Sequence, residues 1–115
     1  MNSMSTDNKD INEILPKIEK RILQLFGSCV QKIILFGSYA RKDFNEESDV
    51  DIIVIVTDTD IEKYRKLRTK IISEFLIKYD ILLSIRILNN EEFSKYKDVS
   101  PFLQNIVKEG ILFYG

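Results

Sequence analysis

The chain contains no histidine among its 115 residues. Ser-His-Asp and Cys-His catalysis are therefore excluded, as are zinc sites that rely on imidazole. A single cysteine, Cys29, rules out an intrachain disulfide and fits a reducing cytoplasm. Free cysteine ordinarily packs as a small buried hydrophobe, and Cys29 is read that way. No apolar run approaches membrane-spanning length. There is no surplus of positive charge either: 17 basic and 18 acidic side chains give a formal charge of −1. Extended nucleic acid, which needs clustered excess Lys and Arg, is disfavoured as a partner. A local cradle for one nucleotide is still allowed. Internal repeats, low-complexity segments and linkers are also missing. Chemistry must then come from carboxylates, Arg, Lys, Tyr or a hard cation held by carboxylates.

Hydrophobic residues make up 44% of the chain and charged residues 30%, an ordinary soluble composition. The length fits one domain with one real core. Residues 1–9 are polar, lack an apolar centre, and read as a disordered start rather than a secretory signal. Residues 10–115 read as a single domain. Ile11, Ile14, Leu15, Ile18, Ile22, Leu25 and Phe26 recur at helical spacing, with Pro16 in the first turn or at a kink and Gly27 as the stop. Val30 to Phe36 reads as a strand. Asp49 to Val56 reads as a central strand covered on both faces. Thr59 to Glu62 has the form of a capping box, opening a helix with the stripe Ile61, Tyr64, Leu67, Ile71, Ile72 and Phe75. Arg65 to Lys70 reads as that helix's solvated face.

Asp80 to Leu88 alternates as a third strand, with Leu82, Ser84 and Arg86 on one face. Asn89 and Glu92 open a short helix, and Ser100 caps a last one, with Pro101 first and Gly110 just past its end. The terminal ILFYG reads as an edge strand. The expected fold is a compact α/β (α+β) domain: a small mixed β-sheet flanked by helices.

The segment LFGSYARKDFNEESDVDIIV, Leu35 to Val54, concentrates the unusual features. Asp49 and Asp51 are one residue apart, so on a strand they project to one face with Cα atoms roughly 6–7 Å apart. Such a pair suits a hard cation, Mg²⁺ or Mn²⁺; without one, the two repel at the start of an apolar strand. Gly37 lets a ligand approach the backbone closely. Ser38 opens a short helical turn whose N–H groups suit phosphate oxygens, and Arg41 supplies a charged contact one turn on. The combination suits a triphosphate.

Gly37-Ser38-Tyr39-Ala40-Arg41 followed by Asp49-Val50-Asp51 resembles the signature of the DNA polymerase beta-type nucleotidyltransferase superfamily. The small size and the ending SPFLQNIVKEGILFYG resemble its minimal nucleotidyltransferase branch. The resemblance covers the chain from Ile11 onward and implies the nucleotidyltransferase fold. It implies that Gly37, Ser38 and Arg41 bind the β/γ phosphates and that Asp49 and Asp51 hold Mg²⁺. It also implies transfer of a nucleoside monophosphate, AMP from ATP, to an acceptor hydroxyl. Small members of the family are paired with helical HEPN toxins, which they neutralise as antitoxins, in some pairs by adenylylating a tyrosine. A homo-oligomer is left open. This sequence departs from the family at two places: Lys42 stands where Gly is frequent, and Ser84 stands where the third strand usually supplies a third carboxylate. Asp80, on the expected face of that strand but roughly 13 Å away, is too far to substitute. Ser84 keeps a second reading in play, a non-catalytic nucleotide- or partner-binding module on the same fold.

Overall fold

A computed structural model describes residues 11–45 and 48–115. The reading of residues 1–9 as disordered therefore lies outside the described residues. The elements run α1 (Ile11–Phe26), a 3-10 turn (Gly27–Cys29), β1 (Val30–Phe36), α2 (Ser38–Arg41), β2 (Val50–Val56), a 3-10 turn (Glu62–Tyr64), α3 (Arg65–Tyr79), β3 (Leu83–Asn89), α4 (Asn90–Tyr96), α5 (Pro101–Glu109) and β4 (Ile111–Tyr114). The strands form one mixed sheet in the order β3-β2-β1-β4. β1 pairs antiparallel with β2 and β4, and β2 pairs parallel with β3.

Strand periodicity divides the apolar residues between two layers. Ile33, Leu35, Ile52, Val54, Ile85 and Ile87 face α1 and α3, which bury Ile14, Ile18, Ile22, Phe26, Ile71 and Phe75 against them. Ile34, Ile53 and Ile55 face the other way and are covered by Ile106 of α5, with Phe36, Leu88 and Phe93 alongside. β2 is thus buried on both faces, as its unbroken apolar run requires. Pro16 lies inside α1 on its exposed side, and the helix stops at Gly27, whose φ of 80° closes it. Ser100 caps α5 by accepting from the Leu103 N–H at 3.3 Å, and Asn89 caps α4 through the N–H groups of Glu91 and Glu92.

Three local expectations are corrected. Thr59 does not cap the helix before α3; the Asp60 carboxylate accepts the Glu62 N–H at 3.2 Å, after Asp58 has accepted that of Asp60. Two Asx turns replace the capping box because Asp bonds its own backbone more readily than Thr. The third strand begins at Leu83 rather than Asp80. Asp80 adopts a left-handed conformation (φ 55°), and the N–H groups of Asp80 and Ile81 return to the carbonyls of Leu76 and Phe75. This is a left-handed helix stop, the Asp80 N–H closing on the carbonyl of Leu76, with an apolar residue, Ile81, following the turn. Asp80 is therefore a cap, not a strand residue. Cys29 is only half-buried, and its Sγ lies 3.2 Å from the Phe26 carbonyl and 2.7 Å from the Tyr64 hydroxyl. It is a polar partner at the end of the sheet rather than an inert core hydrophobe.

Candidate functional site

The register aligns one rung across three strands. Phe36 of β1 lies opposite Asp51 of β2, and Asp51 lies beside Ser84 of β3. All three belong to the face covered by α5. Asp49 precedes β2 and is exposed, whereas Asp51 is half-buried. The Asp51 carboxyl is pushed above its ordinary range, first by burial and then by the negative charge of Asp49; Arg41 and Arg86 pull it back. The expected pair is therefore electrostatically coupled, with two guanidinium groups facing it.

Gly37 is fixed by two independent demands. Its backbone (φ 76°, ψ −155°) lies in a region that residues with a Cβ avoid. A Cβ added there would run into the Asp51 carboxylate. The turn and the carboxylate are in contact, and no side chain fits between them. Ser38 begins α2, whose single turn is closed by the Arg41 N–H donating to the Gly37 carbonyl at 3.1 Å. Tyr39 anchors that turn by burial and by stacking on Phe44, with ring centroids 4.3 Å apart. The exposed Arg41 side chain donates to Asp43 at 3.2 Å, a surface contact that a stronger anion can displace.

Lys42 takes the left-handed conformation (φ 65°) after α2. This explains the glycine frequent at that place: Lys carries a Cβ cost there that Gly avoids. Lys42→Gly is expected to raise the stability by about 1 kcal/mol, visible as an increase of a few degrees in Tm. An unchanged or lower Tm would show that the turn does not strain the Lys backbone.

Two residues on the site's face carried no expectation of a role in the site. Arg86 lies two places after Ser84, acts on Asp51, and holds its guanidinium 4.7 Å from the ring centroid of Phe102. Phe102 in turn meets Phe36 edge-on at 5.7 Å. The alternation of β3 placed Arg86 on the Ser84 face, but only the sheet order shows that this face holds the aspartates. Beside the turn, Phe36, Gly37, Arg41, Phe102, Asn105 and Ile106 line a cavity of about 210 Å³. A larger groove, about 440 Å³, runs between α1 and α3 past Lys17, Lys20, Arg21 and Tyr79 and contains none of the site residues. Chemistry rather than size identifies the site: the smaller cavity is lined by Gly37, which touches the Asp51 carboxylate.

The donor set suits Mg²⁺ or Mn²⁺. Two hard carboxylates lie next to each other, and no group of three or more His, Cys, Asp or Glu converges among the described residues. Mg²⁺ commonly takes one or two carboxylates and completes its shell from substrate phosphates and water. The upward push on Asp51 is the cost that a bound cation would relieve.

A mixed sheet with a Gly-Ser turn abutting an Asp-x-Asp strand defines a nucleotidyl-transfer class of protein. The sequence model of the nucleotidyltransferase domain matches residues 15–114, and the chain belongs to that family. It is similar to the Methanocaldococcus jannaschii protein named "Putative protein adenylyltransferase MJ0604", with 37% identity over 108 residues, 94% of this chain and 98% of that one. Its fold resembles a toxin–antitoxin crystal structure with AMP-PNP (TM-score 0.58, 22% identity, 86% of this chain and 72% of that one). It also resembles a complex of the tri-AMPylated Shewanella oneidensis HEPN toxin with MNT antitoxin (TM-score 0.52, 24% identity, 96% and 72%). No helix among the described residues is long and apolar enough to cross a membrane.

Proposed function

We propose that the chain transfers AMP from ATP to a protein hydroxyl, with Gly37, Ser38 and Arg41 binding the distal phosphates and Asp49 and Asp51 holding Mg²⁺. The observation that carries the reading is the contact between Gly37 and the half-buried Asp51 carboxylate, whose charge is opposed by burial and by Asp49. Folding alone gives no reason to press a carboxylate against this turn. A phosphate-binding turn and a cation site that share one substrate do. The names of the relatives support adenylyl transfer to protein, and the toxin–antitoxin neighbours support a HEPN-family partner. With a lone unpaired Cys29, the setting is the cytoplasm.

In the reaction, the acceptor oxygen bonds to the α-phosphorus as the bond to the β-phosphate oxygen breaks. Pyrophosphate leaves and the hydroxyl proton passes to water. A bound Mg²⁺ would supply Lewis-acid stabilisation of the phosphoryl charge. The chain supplies position. Gly37 admits the phosphates to the backbone, Ser38 offers a hydroxyl and an N–H, and Arg41 offers a movable cation. Arg86 balances charge beside Asp51. Ser84 cannot act as a base, so the acceptor must be well oriented. Holding acceptor and nucleotide in the reacting geometry offsets part of the missing base.

Ser84 also favours a second reading, in which the fold binds nucleotide or partner without transfer. Binding measurements test the cradle common to both. Ser38→Ala and Arg41→Ala are expected to weaken Mg-ATP binding roughly tenfold or more, the scale of a charged hydrogen bond, while AMP binding changes little. Equal losses for ATP and AMP would contradict the assignment to the distal phosphates.

A further inference from the structure

The edge of the sheet nearest Ser84 carries concentrated positive charge. Arg65 and Arg68 reach it from α3 on one face of the sheet, and Arg86 reaches it from the other. Together with Ile61, Ile87 and Leu88 they line a cavity of about 180 Å³. Arg65 is paired with Glu62 at 3.0 Å, both largely exposed. Arg68 Nη1 reaches the Ile85 carbonyl at a long 3.5 Å, and Arg86 stacks on Phe102. Neither Arg68 nor Arg86 forms an ion pair among the described residues. In a chain of net charge −1, three arginines converging on one strand edge with a single carboxylate partner form a local anion-seeking patch.

The backbone of that edge is also available. β3 pairs with β2 on one side and ends the sheet on the other. Its outer N–H and C=O groups have no strand partner among the described residues, so an extended polypeptide can add to them. Ser84 sits beside Asp51, so an acceptor hydroxyl approaching the transfer site passes over this same strand. Arg86 to Leu88 lie two to four residues further on, roughly 7–13 Å along the strand.

We propose that the outer edge of β3, flanked by Arg65, Arg68 and Arg86, docks an extended acidic polypeptide segment that carries the acceptor hydroxyl. This rests on the transferase reading above and adds the recognition element. The segment presents its acceptor residue at the level of Ser84 and acidic residues two to four positions to one side. Nucleic acid fits less well: the patch is short, and the Phe102 ring, the surface on which a base would stack, is already covered by Arg86.

The test uses three fluorescent probes with nucleotide-free protein at low salt: a tyrosine decapeptide with glutamates two to four residues to one side of the tyrosine, its lysine counterpart, and a ten-nucleotide RNA. Glutamates are placed on either side in separate peptides. One acidic peptide is expected to bind at least tenfold more tightly than its lysine counterpart. The double variant Arg65→Glu, Arg68→Glu is expected to lose that preference while staying folded and keeping its Mg-ATP affinity. Absence of the preference, its survival in the double variant, or RNA binding as tight as the acidic peptide would each overturn the docking proposal. A parallel arm follows transfer from α-labelled ATP. Charge-selective binding without transfer upholds the docking edge and counts against the enzyme reading; transfer indifferent to peptide charge does the reverse.

Discussion

Asp51→Asn is expected to abolish Mg²⁺-dependent transfer, by about 10²–10³-fold or more, and to leave the fold intact. Asp51 touches Gly37, lies on the rung that joins β1, β2 and β3, and is the site carboxylate whose charge the surroundings oppose. The same opposition predicts a pH signature in metal-free buffer. The folded carboxyl titrates above its ordinary value of 3.8. Between the two values the folded state holds a proton that the unfolded chain has released, so stability is full below 3.8 and falls as pH rises through the folded value. Asp51→Asn removes that fall, and its Tm should exceed that of the wild type at neutral pH. Mg²⁺ with ATP should raise the Tm of the wild type far more than that of the variant. A variant that keeps metal-dependent binding, or one that is less stable at neutral pH than below pH 4, would place the charge burden elsewhere.

Ser84→Asp is the second large effect. The parallel register sets Ser84 beside Asp51 on the same face, so the new carboxylate would join the existing pair. A correctly placed base contributes roughly 10²–10⁴-fold in rate, and transfer to a small hydroxyl acceptor should rise on that scale. The gain has a cost in metal-free protein, because three carboxylates would then crowd one site. Ser84→Asp should therefore lower the Tm without metal, recover it with Mg²⁺, and steepen the dependence of rate on Mg²⁺. A variant with unchanged rate and unchanged metal dependence would show that the acceptor does not approach along β3.

Most of this site lies in one continuous stretch, which is why it could be read before folding. Gly37, Ser38, Arg41, Asp49 and Asp51 fall within fifteen residues, and the apolar runs on either side identify themselves as strands. Period-two alternation then put Ser84 and Arg86 on one face of β3. Sheet order and register are set by tertiary pairing, and they bring Ser84 beside Asp51 and Arg86 opposite Ile53. In sequence, Arg65 and Arg68 read as a wet helix face; only the packing of α3 turns Arg68 toward the carbonyl of Ile85. Asp80 misled because a helix stop in the left-handed region and a strand start look alike when an aspartate precedes alternating apolar residues. Phe102 entered only through α5, which lays it across the face that holds the aspartates.

The central claim is transfer of the α-phosphoryl nucleotide from ATP to protein at the Asp49–Asp51 site. The direct measurement incubates the protein with a HEPN-family partner, Mg²⁺, and ATP labelled at either the α- or the γ-phosphate, beside Asp49→Asn and Asp51→Asn. The account predicts label on the partner from α-labelled ATP only, lost in both variants and on removal of the metal. Label from the γ-phosphate, label that survives both variants, or tight Mg-ATP binding with no labelled partner would contradict it.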